Sequence, residues 1–87
     1  MVKDQENGKP PITYREFQVL EYMASGTRNE SIAEELFIAP DTVRTHRRNI
    51  RRKLEIKETS SRRVLIYQQE LERLRPFFAS SSSSETN

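Results

Sequence analysis

The sequence predicts an all-α fold class, a compact domain of four helices at about residues 14–25, 28–36, 40–54 and 60–75. Two observations predict it. In each segment apolar residues recur three and four positions apart, the spacing that places side chains on one face of a helix. Residues that favour helix starts and ends, namely hydroxyl side chains, glycine and proline, also stand at the segment boundaries. Spacing and boundaries therefore indicate the same four helices.

The composition of the chain limits how large such a domain can be. Its 87 residues allow one small core, and 33% of them are hydrophobic against 32% that are charged, a polar balance for a folded domain. We therefore expect the folded part to span 12–78. A disordered N-terminal arm at 1–11 would precede it, and a disordered serine-rich tail at 79–87 would follow it.

The residue types that are missing exclude several function classes. With no cysteine and one histidine, the chain has neither a disulfide framework nor a set of Cys or His ligands for a metal. No apolar run approaches the roughly 20 residues that span a bilayer. There is no glycine-rich phosphate loop and no pair of buried carboxylates suited to catalysis. We therefore expect a cytoplasmic protein that is not an enzyme, without cofactor, metal site, membrane segment or small-molecule ligand in this chain.

The first helix has the clearest boundaries. Thr13 and Glu16 form the pattern of a capping box, in which each side chain accepts a hydrogen bond from the other residue's backbone N–H. Ile12 and Phe17 stand at the positions of a hydrophobic staple across that cap. Gly26 is placed to end the helix in a left-handed conformation. Glu16 is additionally a candidate to pair with an arginine of the third helix.

The second and third helices are separated by a very short turn. Pro40 is well suited to the first position of the third helix, because its missing N–H would have no partner there. The second helix is predicted to point Ile32, Ala33, Leu36 and Phe37 inward, with Thr27 or Asn29 as its N-cap. Short helix, tight turn and second helix form the helix-turn-helix layout, whose second helix enters the DNA major groove.

The third helix divides into an apolar face and a basic face. Val43, Ile50 and Leu54 fall on one side, with His46 at its flank. Residues 40–54 carry six Lys/Arg against one Asp, a charge of +5, whereas the whole chain is +2, so the remainder sums to −3. Charge alone leaves two interpretations open, a helix that lies against a polyanion or a solvated surface.

The fourth helix has a short heptad pattern. It is expected to start at Ser60 or Ser61, capped by a hydroxyl, and to end at Arg75, because Pro76 cannot continue the backbone hydrogen bonds. Two interpretations of the pattern remain open, a cover for the core or an interface with a second copy. The apolar positions are Val64, Tyr67, Leu71, Leu74 and Phe78.

Residues 12–67 resemble a known family. The stretches TYREFQVLEYMASG and ESIAEELFIAPDTVRTHRRNIRRKLEI are similar to the DNA-binding domain of LuxR-type transcription factors, also the output domain of many bacterial response regulators. The most specific part is the pattern T-V-x-x-H-x-x-N-I-x-x-K-L. The residues that carry it are Thr42, Val43, His46, Asn49, Ile50, Lys53 and Leu54.

The resemblance implies roles for individual side chains. The base contacts of the family fall on the positions of Arg44, Thr45 and Arg48, which the helical pattern also places outward. An arginine can grip guanine bidentately, and a threonine methyl can touch that of thymine. His46 is expected to be a packed structural residue. Contacts with the DNA backbone, or positioning of the helix, are expected of Thr42, Arg47, Asn49, Arg51 and Arg52.

The sequence departs from the family pattern in three places. The family usually has a serine where Ala39 stands, and Ala39 can neither cap the helix nor bind phosphate. Asp41 occupies a position that is commonly basic or polar; its carboxylate favours the helix dipole but repels phosphate, and it could accept from a cytosine amine. The link KETSSRR is also about two residues longer than usual, which affects any dimer geometry carried over from the family.

The leading prediction is sequence-specific binding of double-stranded DNA by a bacterial transcriptional regulator located at the nucleoid. A homodimer through Val64, Tyr67, Leu71 and Leu74 is expected, with RNA polymerase as a further candidate partner. One alternative is a sigma-factor region-4-like domain, against which the T-V-x-x-H-x-x-N-I pattern argues. Another is a protein-interaction module that keeps the fold and pairs with a second regulator through the fourth helix.

Overall fold

A computed structural model describes residues 9–57 and 61–86, with the backbone alone for 79–86. The described residues form four α-helices joined by short turns, and no strand is present among them. The predicted all-α fold class is therefore confirmed. The helices are α1 (Tyr14–Ala24), α2 (Asn29–Leu36), α3 (Pro40–Lys53) and α4 (Arg63–Thr86).

The start of α1 has the predicted capping box. The backbone N–H of Glu16 donates to Thr13 Oγ1 over 3.1 Å, and the N–H of Thr13 donates to Glu16 Oε1 over 2.9 Å. Ile12 and Phe17, the two staple residues, are both buried. After α1 the chain turns at Gly26, whose φ of 75° is the left-handed conformation that favours glycine. The predicted boundaries of α1 are confirmed to within one residue.

Helix α2 differs from the prediction at both of its ends. The N-cap of α2 is Arg28, which makes no side-chain capping bond, so neither Thr27 nor Asn29 is the cap. Phe37 has a φ of 58° and is 93% exposed, so its predicted inward orientation is wrong. The left-handed backbone turns Phe37 outward, and Ile38 packs against the core instead, where its N–H donates to the Ala33 carbonyl over 3.0 Å.

A single core lies where the four helices meet. Helix α1 packs against α3 and α4, and α2 packs against α3. The side chains with 0–1% of their surface exposed include members from every helix, which makes the core continuous. These residues are Val19, Leu20, Met23, Ile32, Val43, Ile50, Tyr67 and Leu74.

The heptad positions of α4 belong mainly to this core. Tyr67, Leu74 and Phe78 are buried, whereas Leu71 is half-buried and Val64 is exposed. Phe78 stacks on Phe17 of α1 with ring centroids 4.4 Å apart. Of the two interpretations of the heptad, the cover for the core accounts for most of its apolar positions.

Helix α4 begins and ends later than predicted. It begins at Arg63 rather than at Ser60 or Ser61, and it continues beyond Arg75, through Pro76, to Thr86. A proline removes one N–H and crowds the carbonyl four residues earlier, here that of the exposed Glu72. Because Leu74 and Phe78 are buried on either side of Pro76, their packing holds the helix together across it. The predicted cap at Ser60, most of the arm at 1–11 and Asn87 lie outside the described residues.

Candidate nucleic-acid interface

Helix α3 is oriented by its apolar face. Val43 and Ile50 have no exposed surface, and Leu54, its C-cap residue, packs against the core. Pro40 occupies the first turn, as predicted, and Ala39 is the N-cap, with an extended backbone and no side-chain capping bond. Because the two buried anchors lie two turns apart on one side, the opposite side of α3 must face outward along its length.

The side chains predicted to read bases lie together on that outward side. Arg44, Thr45 and Arg48 are all exposed, at positions i, i+1 and i+4 of one helix. The Thr45 hydroxyl donates to the Asp41 carbonyl over 3.1 Å, and Arg44 forms a hydrogen-bonded ion pair with the Asp41 carboxylate. These three side chains thus form a continuous surface that DNA bases could approach.

The residues predicted to position the helix flank this surface. Thr42 and Arg52 are exposed, whereas Asn49 is half-buried. Arg52 donates to Asn49 Oδ1 over 3.0 Å, which orients the guanidinium along the helix. Arg47 and Arg51 lie on the other flank and are half-buried. The residues predicted to contact the DNA backbone therefore lie on both edges of α3.

A concave surface lies along one edge of α3, and we call it the basic groove. Its volume is about 560 Å³, and it joins α3 to the beginnings of α2 and α4. Concave clusters of like charge focus the electrostatic field and concentrate counterions. The arginines of α3 within it follow the i, i+3, i+4, i+7 spacing of a helix edge. The lining residues are Asn29, Arg44, Arg47, Arg48, Arg51 and Arg63.

Two groove residues, Asn29 and Arg63, are not among the residues that the sequence predicts to contact DNA. Each occupies the first position of a helix, α2 and α4 respectively. Their proximity to α3 depends on the way the helices pack, which neighbouring residues in the sequence do not determine. A basic residue at a helix start is unfavourable for the helix dipole, and this is a signal at Arg63 that sequence reasoning could have used.

The carboxylate of Glu16, in α1, binds Lys53 at the C-terminal end of α3. Lys53 Nζ donates to both Glu16 oxygens, over 2.9 and 3.0 Å, and Glu16 is 4% exposed. Burial tends to raise the pKa of Glu16, but the hydrogen bond from Thr13, the bond and charge of Lys53 and the charge of His46 outweigh it and lower the pKa. The sequence predicts an arginine of the third helix as the partner of Glu16, but the residue that pairs with it is Lys53.

His46 lies half-buried on the flank of α3, near the Glu16 carboxylate whose pKa it helps to lower. This position on the inner flank agrees with the structural role predicted for it. It does not belong to the outward surface formed by Arg44, Thr45 and Arg48.

The predicted dimerisation residues do not form one surface. Tyr67 and Leu74 are 1% and 0% exposed, so neither is available to a second copy without opening the core. Val64 is exposed, and Leu71 is half-buried against the core. Leu65 and Phe77 are also exposed on α4, and the heptad does not include them.

Two other kinds of site are missing from the described part of the chain. No group of three or more His, Cys, Asp or Glu side chains could hold a metal ion there. Among the same residues, no helix has the length and apolar character needed to cross a membrane.

The geometry defines a helix-turn-helix domain whose outward helix carries a basic surface. Residues 10–66 match the family described as bacterial regulatory proteins, luxR family. The chain belongs to this family, which confirms the resemblance seen in its residues. It is accordingly a non-enzymatic DNA-binding domain of the class that regulates transcription.

Individual relatives agree with the family assignment. The chain is 38% identical over 65 residues to a nitrate/nitrite response regulator protein homolog of Haemophilus influenzae, covering 75% of this chain and 31% of that protein. It is 58% identical over 36 residues to the uncharacterized transcriptional regulatory protein YxjL of Bacillus subtilis, covering 41% and 16% respectively. It is 52% identical over 46 residues to the HTH-type transcriptional regulator MalT of Vibrio campbellii, covering 53% and 5%.

The chain spans between 5% and 31% of the length of these three relatives. Its likeness is therefore to one domain of larger regulators. No solved structure matches the chain significantly.

Proposed function

We propose that α3 enters the major groove of double-stranded DNA and that Arg44, Thr45 and Arg48 read the bases. The observation that carries this proposal is their common outward face, opposite the buried Val43 and Ile50. Guanidinium groups match the O6 and N7 acceptors of guanine, and the Thr45 methyl is suited to thymine. The domain would act in this way as part of a bacterial transcriptional regulator at the nucleoid in the cytoplasm.

The part of the basic groove away from the base readers Arg44 and Arg48 is the proposed site for the phosphates of one DNA strand. Arg47, Arg51 and Arg63 contribute guanidinium groups from two helices, and α2 begins at Asn29 beside them. The positive end of a helix dipole and clustered arginines both favour phosphate. Neutralised phosphates release counterions, and the affinity should therefore fall steeply with salt. Thr42, Asn49 and Arg52 would hold the other edge of α3 in register.

We further propose that the domain binds a two-half-site operator as a homodimer. Val64 and Leu65, both exposed at the start of α4, are the candidate contacts. Tyr67 and Leu74 are not included, since they are buried in the core. RNA polymerase is proposed as a partner of the DNA-bound form.

A fluorescence anisotropy titration of a random-sequence duplex, repeated at several salt concentrations, tests the phosphate proposal. The double variant Arg47→Ala/Arg51→Ala should bind all sequences more weakly, and its salt slope should be smaller by about 2 than that of the unaltered chain. The matched control is Arg73→Ala/Arg75→Ala, which removes the same charge from intrahelical pairs on α4. No binding at low salt by the unaltered chain would contradict the proposed function.

One observation favours a second candidate function, a module that pairs with another regulator. Val64 and Leu65, which are neighbours at the start of α4, leave 42% and 45% of their surfaces exposed, and exposed apolar side chains that lie together often contact a partner. This candidate predicts association without DNA and no binding of random duplexes at low salt. The same titration therefore separates the two functions.

A further inference from the structure

Asp41 is the one acidic residue of α3, and it lies at the start of the outward surface. Its side chain is 92% exposed in a helix that otherwise carries only positive charges. A carboxylate at that place repels phosphate and therefore weakens non-specific DNA binding. An acid in the first turn favours the helix dipole, but that benefit does not require the contact described next.

The Asp41 carboxylate is bonded to Arg44, one of the proposed base readers. Asp41 Oδ1 accepts from an Nη of Arg44 one turn along the helix, and the Arg44 side chain is 52% exposed. An exposed ion pair of this kind adds little to folding stability. What it does is restrict the orientations of a long side chain that would otherwise be free to swing toward a phosphate.

The geometry of guanidinium leaves Arg44 able to bind a base while it is held. The group has five N–H donors in a planar fork, and the contact with Asp41 uses one nitrogen. The remaining donors can reach the O6 and N7 acceptors of guanine. The second carboxylate oxygen of Asp41 can accept from the N4 amine of a cytosine, the donor that this base presents in the major groove.

We infer that Asp41 and Arg44 form one base-reading unit, in which Asp41 positions Arg44 for guanine and discourages it from binding phosphate. This inference rests on the proposed major-groove binding by α3. It makes Asp41 a residue that determines specificity and reduces overall affinity. An operator should therefore have guanine at the base pair that Arg44 contacts, with a cytosine amine within reach of Asp41.

The test compares a duplex recovered by binding-site selection with a random duplex, using the full chain. Asp41→Ala should bind the random duplex several-fold more tightly and should lose about tenfold in the ratio of specific to random affinity. The salt slope on random DNA should become steeper by about 1, because Arg44 gains a phosphate. The variant should still melt in one cooperative transition, only a few degrees lower because an acid is lost from the first turn of α3, and this would confirm that the fold is intact.

Two controls make the result specific to the pair. Glu35→Ala removes one exposed negative charge from α2 and should leave the specificity ratio unchanged. In the Arg44→Ala background, Asp41→Ala should no longer alter preference at the guanine position. If Asp41→Ala and Glu35→Ala raise both affinities by the same factor, the inference is wrong while the proposed function stands. If the unaltered chain binds no duplex, the proposed function itself fails.

Discussion

Helices α3 and α4 are both amphipathic, but they use their surfaces differently. Helix α3 buries Val43 and Ile50 completely and leaves arginines on its outward side. Helix α4 buries Tyr67 and Leu74, yet its outward side still includes apolar groups such as Leu65. A polar outward face allows a helix to lie against a polyanion, whereas apolar side chains on a helix can serve either the core or a partner.

The comparison shows how a small domain distributes its roles. Helix α3 has only two fully buried side chains, and the contact of Lys53 with Glu16 additionally holds its C-terminal end against α1. Helix α4 supplies more of the core, and Phe78 extends that core along α1 by stacking on Phe17. Stability and DNA recognition are therefore separable, and substitutions in the two helices should affect different measurements.

The largest effect should come from the buried side of α4. Leu74→Ala should lower the free energy of unfolding by about 2–5 kcal/mol, because it leaves a cavity in the core. Urea denaturation measures this loss. Leu65→Ala, a matched change at a 45% exposed position, should cost less than about 1 kcal/mol. If the loss for Leu74→Ala disappeared on dilution of the protein, Leu74 would belong to a dimer interface instead.

On the outward side of α3, Arg48→Ala should leave folding unchanged and weaken specific binding. The expected cost is about 1–3 kcal/mol with relaxed preference at one base pair, if Arg48 contacts guanine. Competition among duplexes that differ at single positions measures both quantities. A loss that is uniform across all sequences would assign Arg48 to phosphate. Arg75→Ala, on α4, is the control and should have no effect on preference.

The contact between Glu16 and Lys53 links α3 to α1 and should contribute pH-dependent stability. Glu16→Gln should cost about 1–3 kcal/mol, because it removes a charge-assisted hydrogen bond at a buried position. Thermal unfolding as a function of pH measures the effect.

The sign of the pH dependence follows from the direction of the pKa shift. The folded-state pKa of Glu16 lies below the ordinary 4.5, so the charged form stabilises the fold above that value. This contribution is lost as the pH falls from 4.5 through the folded-state pKa. Glu16→Gln should abolish that part of the acid dependence, whereas Glu35→Gln, at an exposed position, should retain it. An unchanged acid profile in Glu16→Gln would contradict the assignment.

The smallest effect is expected in the turn before α3. Phe37→Gly should stabilise the domain by up to about 1 kcal/mol, since a left-handed backbone strains an L side chain and the phenyl ring is 93% exposed. Urea denaturation again gives the value. Glu55→Gly, at the other non-glycine residue with positive φ among those described, should behave alike. Destabilisation by Phe37→Gly alone would indicate that the ring has a stabilising contact.

Much of this architecture could be predicted from local residues. The cap formed by Thr13 and Glu16, the turn at Gly26 and the start at Pro40 each depend on a few neighbouring positions. The outward placement of Arg44, Thr45 and Arg48 follows from helical periodicity and from the resemblance to the family. Most charged side chains of α3 face outward, because burying a charge without a partner is costly.

Other features depend on the packing of the helices and could not be predicted from neighbouring residues in the sequence. A proline normally ends a helix, but the burial of Leu74 and Phe78 carries α4 through Pro76. The heptad of α4 could not distinguish core from partner. Arg63 joins the basic groove only because α4 begins beside α3. These are tertiary effects that override local preference.

Binding-site selection from random duplexes, combined with the stoichiometry of the complex, tests the central claim most directly. We expect enrichment of a short motif that includes guanine, and this enrichment should be lost in Arg44→Ala/Arg48→Ala. We also expect two protein chains to bind each two-half-site duplex. A pool that remains random after repeated selection, although the chain binds DNA, would contradict base reading by α3.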